Sequence, residues 1–254
     1  MTTTLIFDAD GTLYDETMPK AKAELLTAKL IASRTGYGEG EVYSLFREVK
    51  GEITQSGSLS PDRNNRTVWY AETLRRLNAS HCDVAASGDV TASGDVAASG
   101  DVTSKIDACE ASGHYWEVVY GEIEPYFDLV YILPELQSRY RLAVLTDELY
   151  DIQVEKVKRL GLSGYFTEII SSEQAGVTKP DKRLFEYALN RLGVSAGESM
   201  MIGDNPSADI RGARSVGMRT AWLRRGKYYY YPTGENERAD VVFENYLRLY
   251  DELR

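Results

Sequence analysis

Short apolar runs recur along this chain, and each is followed by a polar cluster or a helical pattern. The runs are Leu5–Phe7, Leu142–Leu145, Glu168–Ile170, Met200–Ile202, Thr220–Leu223 and Val241–Phe243. Runs this short and this apolar fit strands buried on both faces. From residue 130 onward helical patterns lie between them. Leu149, Ile152, Val157 and Leu160 share one helix face, and Leu184, Phe185, Ala188, Leu189 and Leu192 share another. Strand–helix alternation with short loops predicts an α/β fold, a Rossmann-like doubly wound parallel sheet with helices on both sides.

Between residues 16 and 125 no comparable strand occurs. Helical stretches there are Ala21–Thr35, Glu41–Glu52, Arg66–Asn78 and Asp107–Glu122; the first carries Leu25, Leu26, Leu30 and Ile31. The expected organisation is a core of residues 1–15 and 126–254 interrupted by a helical domain, 16–125. Inside that insertion, residues 85–103 read AASGDVTASGDVAASGDVT, three copies of a six-residue unit. A hexapeptide solenoid needs about three units per coil and several stacked coils, so three copies leave one coil with nothing to stack on. The segment reads as a low-complexity insertion.

In an open parallel sheet, ligands bind beyond the carboxyl ends of the strands. Leu5–Phe7 is followed by Asp8, Ala9, Asp10, Gly11 and Thr12; Leu142–Leu145 by Thr146 and Asp147; Met200–Ile202 by Gly203, Asp204, Asn205, Pro206, Ser207, Ala208 and Asp209. Lys179-Pro180 lies ahead of the helix of Leu184 and Phe185. Asp8, Asp10 and Asp204 would gather carboxylates at one edge, a repulsive arrangement that a hard divalent cation, Mg²⁺ first, relieves with oxygen ligands. A hydroxyl from Thr146 and a cation from Lys179 complete a set suited to holding a phosphoryl group. One carboxylate can then act as nucleophile and another as proton donor. Each piece alone has an ordinary reading: a solvated acidic loop, a strand-end hydroxyl, a surface lysine, and in Asn205-Pro206 a helix N-cap.

The set FDADGTL (Phe7–Leu13), Thr146, Lys179-Pro180 and GDNPSAD (Gly203–Asp209) resembles the four motifs of the haloacid dehalogenase-like hydrolase superfamily, in order and spacing. Within it the chain looks most like capped phosphatases of the phosphoglycolate and glyceraldehyde-3-phosphate phosphatase type, and the helical insertion has the place and size of a C1 cap. The resemblance implies that Asp8 is the nucleophile and forms an aspartyl-phosphate. It implies that Asp10 protonates the leaving oxygen and then activates water, and that Thr146 and Lys179 bind the transferring group. Mg²⁺ would be held by Asp8, Asp204 and the backbone carbonyl of Asp10, with Asp209 and Asn205 in the outer shell. Asp147 stands where many relatives carry Asn, which adds an acid beside the phosphate site.

The implied activity is hydrolysis of a small phosphorylated metabolite. A phosphomutase would need the same acid pair. A 2-haloacid dehalogenase of the superfamily would lack an acid at position 10. A receiver-like signalling module also gathers acids, Thr and Lys at a sheet edge, but lacks a cap and a second acid two residues on. The net charge of −10 argues against a general nucleic-acid partner. No apolar run reaches the ~18 residues of a membrane span, and the first residues lack the features of a secretion signal, so a cytoplasmic location is expected. Oligomeric state is open. Tyr14, Tyr115, Trp116 and Tyr120 either face a substrate or pack in the insertion's core, and Tyr228–Tyr231 either form an interface or cover a sheet edge. His81, Cys82, Cys109 and His114 flank the repeat; a zinc clip or a Cys82–Cys109 disulfide is one reading, and unrelated helix ends are the plainer one.

Overall fold

All six runs become strands of one sheet in the computed structural model, which describes residues 2–55, 60–86, 105–229 and 234–254. The strands are β1 (Thr4–Phe7), β2 (Arg141–Thr146), β3 (Glu168–Ser171), β4 (Ser199–Gly203), β5 (Arg219–Leu223) and β6 (Val241–Phe243). Their order is β3-β2-β1-β4-β5-β6 and every pairing is parallel. The chain therefore winds outward from β1 through β2 to β3, returns to the centre, and winds the other way from β4. β1 and β4 meet at the reversal, where two loops diverge and leave a crevice at the carboxyl end of the sheet. The register sets Phe7 beside Val144 and Ile202, so the residues that follow those positions emerge at one level.

Successive side chains on a strand face opposite ways. Ile6, Ala143, Leu145 and Met201 share one buried cluster with Leu184, Phe185, Ala188, Leu189 and Leu192 of α8 (Lys182–Leu192). α8 begins where the Asp181 side chain accepts from the Arg183 amide and ends at Gly193, whose φ of 65° is a left-handed cap. α5 (Phe127–Arg139) and α10 (Tyr246–Glu252) pack on each other and supply none of that cluster. The remaining helices of this part are α6 (Tyr150–Arg159), α7 (Ser172–Ala175) and α9 (Arg211–Ser215), with a π-helical turn at Pro206–Ile210.

The chain divides into two compact units, and the division differs from the expected one. The first contains Met1–Met18, Leu59–Asn64 and Ile123–Arg254; the second contains Pro19–Ser58 and Asn65–Glu122. The short excursion before Asn65 thus groups with the sheet. One contact that ties it there is Asn64 Nδ2 donating to the Asp147 carbonyl at 3.0 Å.

The described residues of the second unit form four helices and short connections: α1 (Thr17–Thr35, entering from the first unit), α2 (Glu39–Gln55), α3 (Arg66–Ala86) and α4 (Ala108–Glu122). Its interior is aromatic. Phe46 stacks on Tyr70 at 4.7 Å, Tyr115 meets Trp116 edge-on at 5.0 Å, and the buried Arg66 guanidinium lies 4.6 Å from the Trp116 ring centre. Tyr115 and Trp116 are therefore core residues of this unit. Its first helix turns Ala23, Glu24, Thr27, Ala28 and Ile31 inward and leaves Leu25 54% exposed. Glu24 is buried because Lys50 and Arg47 both reach it, at 2.5 and 3.3 Å. His114 Nδ1 sits 2.9 Å from Thr27 Oγ1, and Cys109 is exposed and free. The repeat apart from its first two residues, the side chains of His81 and Cys82, and Tyr230 and Tyr231 lie outside the described residues.

Candidate active site

The crevice between β1 and β4 collects three buried carboxylates and one buried lysine. Asp8 leaves β1, Asp204 leaves β4, and Asp209 closes the turn after it; one oxygen from each lies within 4.8 Å of the others. Lys179 Nζ donates to Asp8 Oδ1 at 2.5 Å and to Asp209 Oδ1 at 2.7 Å. Thr12 Oγ1 bridges the two strands, 3.4 Å from Asp8 Oδ2 and 3.4 Å from Asp204 Oδ1. Two glycines make room. Gly11, at φ +84°, adopts a conformation that disfavours any side chain, and a Cβ there would run into the Asp204 carboxylate. A Cβ on Gly203 would overlap Asp209 in the same way. Asn205 serves as an N-cap, its side chain accepting from the Ser207 and Ala208 amides at 3.1 and 3.2 Å, while its own amide donates to Asp209 Oδ2 at 3.0 Å.

The electrostatics follow from this crowding. Burial pushes the Asp8 carboxyl up, Lys179 opposes that and Asp209 adds to it, leaving Asp8 at about 7 against an ordinary 3.8. Asp204 is raised well above the usual range by burial and then by Asp8 and Asp209. Lys179 is raised as well, which keeps it charged: burial alone would lower it, but Asp209, Asp8 and Asp147 together hold it well above 10.5. With all three carboxylates ionised, Lys179 neutralises one charge and two remain. Asp204 Oδ2 is buried without a hydrogen-bond partner among the described residues. An orphaned carboxylate oxygen, two surplus negative charges and hard oxygen donors fit a hard divalent cation held by Asp8, Asp204 and Asp209.

Asp10 is placed differently from its neighbours. Its carboxylate accepts from Lys156 Nζ at 2.8 and 2.9 Å and from the Tyr14 hydroxyl at 2.6 Å, so this side chain stands apart from the Asp8, Asp204 and Asp209 cluster. Tyr14 is fully buried, and burial followed by the Asp10 charge raises its hydroxyl well above 10, so it remains a donor. Lys156, equally buried, also reaches Glu148 Oε2 at 3.5 Å. Thr146 ends β2; its hydroxyl donates to Gln153 Oε1 at 3.3 Å and accepts from the Glu148 amide at 3.1 Å. Asp147 Oδ1 accepts from the Lys179 amide at 2.8 Å, and burial raises its carboxyl.

Asp8, Thr146, Asp147, Lys179, Asp204 and Asp209 are thus brought to one end of the sheet by β1, β2, the loop before α8, and β4. Sequence reasoning did not single out Thr12, Glu148, Gln153 or Lys156. Thr12 was within reach, as the residue after a glycine that the turn requires. Gln153 and Lys156 were not, because polar residues in a helical pattern read as solvent-facing.

A doubly wound sheet with an acid-rich crevice at its switch point, a buried lysine across it and a helical insertion after the first strand defines a hydrolase class built around a strand-end aspartate. The chain belongs to the haloacid dehalogenase-like hydrolase family, whose model matches residues 2–217. It is 29% identical over 98% of its length to the glyceraldehyde 3-phosphate phosphatase of Methanopyrus kandleri, covering 96% of that protein. It is likewise 29% identical over 87% of its length to the ribulose-1,5-bisphosphate 5-phosphatase of Halopiger xanaduensis, covering 84% of it. Among solved structures, a HAD phosphatase from Thermococcus onnurineus superposes with a TM-score of 0.71 at 24% identity, covering all of this chain and 98% of that one. A 2-haloacid dehalogenase from Pseudomonas syringae gives 0.72 at 23%, with the same coverage. These two likenesses are of fold.

Proposed function

We propose that the protein is a Mg²⁺-dependent phosphatase that hydrolyses the phosphate monoester of a small metabolite through a phosphorylated Asp8. The observation that carries this reading is the cluster itself: a nucleophile-grade carboxylate, a buried lysine and an orphaned carboxylate oxygen at the switch point of a parallel sheet. Asp8, Asp204 and Asp209 are the residues that would hold the ion; bound there, it offsets negative charge on the transferring group. Lys179, and the Thr146 hydroxyl once its proton turns away from Gln153, would meet the same charge from the protein side.

An Asp8 oxygen attacks phosphorus, the ester P–O bond breaks, and Asp10 gives its proton to the leaving oxygen. Binding of a phosphate dianion beside Asp10 opposes ionisation of that carboxyl and so favours its taking up the proton it must deliver. Water then attacks phospho-Asp8, Asp10 accepts the water's proton, and inorganic phosphate leaves. Asp10 separates this reading from a dehalogenase, whose halide leaving group needs no proton.

The test is phosphate release from glyceraldehyde 3-phosphate, phosphoglycolate, phosphoserine and other small esters, with Mg²⁺ or EDTA. Asp8→Asn is expected to lower the rate by more than about a thousandfold. Residual activity near wild type in that variant overturns the mechanism.

A further inference from the structure

The Thr146 hydroxyl has one proton, and in this structure it goes to Gln153. Behind Thr146, the same hydroxyl accepts from the Glu148 amide. To hold a phosphoryl oxygen, Thr146 must turn that proton away from Gln153. Gln153 is itself fully buried, and its Nε2 has no hydrogen-bond partner among the described residues. A buried amide group left unsatisfied is costly, so its presence next to a phosphate-binding hydroxyl calls for a reason.

We propose that Gln153 is a positioning residue that sets the direction of the Thr146 hydroxyl, and that Lys156, on the same face of α6, fixes the Asp10 carboxylate. The proposal rests on the phosphatase reading above. The two ends of a carboxamide are nearly the same size, so a half-turn of the Gln153 amide needs no space. It puts Nε2 where Oε1 was, 3.3 Å from Oγ1. A hydroxyl oxygen has two acceptor sites. The Glu148 amide fills one and Nε2 the other, which leaves the proton free to point only at the phosphoryl group. The atom stranded by the turn is then a carbonyl oxygen, more tolerable unsatisfied than an amide N–H.

Lys156 lies three residues on, so it shares a face with Gln153. Its Nζ spans both oxygens of Asp10 and also reaches Glu148. One helix face thus supports the hydroxyl that binds the phosphoryl group and the carboxylate that moves the proton.

The experiment compares Gln153→Glu, Gln153→Met and Lys156→Arg with wild type, using p-nitrophenyl phosphate as substrate and inorganic phosphate as inhibitor. In Gln153→Glu an ionised carboxylate accepts and cannot donate, so it holds the Thr146 proton; the inhibition constant of phosphate is expected to rise about tenfold. In Gln153→Met the side chain neither holds the proton nor directs it, so that constant should rise by only about threefold, less than in Gln153→Glu. A purely structural role gives the reverse, with the amide-free Gln153→Met variant at least as impaired. Equal shifts in the two variants, or none in either, overturn the proposal for Gln153.

Lys156→Arg keeps the charge but relocates it. It is expected to lower kcat between about tenfold and a hundredfold while leaving phosphate inhibition unchanged. A folded Lys156→Arg protein with wild-type kcat overturns the proposal for Lys156. The rise in Tm on adding Mg²⁺ should be the same in all variants, since none touches the carboxylate cluster. Failure of the wild type to release phosphate from any ester would instead sink the phosphatase reading.

Discussion

Asp8 and Asp204 make the folded chain sensitive to pH in a definite direction. Both carboxyls are raised, Asp8 to about 7 from 3.8. Between those two values the unfolded chain has lost the Asp8 proton while the folded chain still holds it. The unfolded state then binds fewer protons, so stability falls as pH rises through that window. A divalent cation offsets the charge that causes the loss. In EDTA, Tm is therefore expected to drop between pH 5 and pH 8, and the increment produced by Mg²⁺ should be larger at pH 8. Differential scanning fluorimetry at the two pH values checks this; equal Mg²⁺ increments would contradict it. The residues that carry this behaviour were legible in the sequence, because Asp8 and Asp204 are polar residues that directly follow the apolar runs of β1 and β4. Lys156 was not, since nothing in the pattern of α6 shows that its charge is fully buried against Asp10 and Glu148.

At the scale of elements, the strands were readable because each is an apolar run with a polar end, and the structure finds all six where they were expected. α1 was less so. Its leucines suggest a core face, yet the buried stripe passes through Glu24, which only the cations of α2 make tolerable. The π-helical turn at Pro206–Ile210 follows from fitting Asp209 under Gly203, a tertiary demand. Packing between α8 and α9 depends on one small residue. A Cβ on Gly212 would overlap the Phe185 ring. Gly212→Ala is expected to lower stability by about 1–3 kcal/mol through overpacking. The Mg²⁺ increment in Tm should survive, because the carboxylate cluster is elsewhere. A variant as stable as wild type in urea denaturation would show that the ring moves aside freely.

For the whole molecule, the length is accounted for by a sheet unit and a helical unit inserted near its start, with the hexapeptide repeat between α3 and α4. The repeat contributes Asp89, Asp95 and Asp101 to the net charge of −10, and the crevice contributes Asp8, Asp204 and Asp209. Part of the acidity therefore belongs to an insertion and to a buried carboxylate cluster. Joining residue 86 to residue 105 through a short Gly-Ser linker removes most of the repeat. Loop-closure cost changes by only about 0.6 kcal/mol per doubling of length. The shortened protein is expected to keep kcat/KM within about twofold, measured on the best ester of the panel. Loss of folding on that deletion would give the repeat a structural task.

The winding of the sheet also fixes when this enzyme can come into being. Lys179 reaches back 171 residues to Asp8, and the hydroxyl of Thr12 spans 192 residues to Asp204. During synthesis Asp8 emerges first and waits through the whole helical insertion, β2 and β3 before β4 and the turn after it bring Asp204 and Asp209 beside it. A nascent chain therefore lacks the assembled carboxylate cluster until Asp209 has been made. A chain that stops short of Asp209 is expected to be inert on any ester the whole protein hydrolyses.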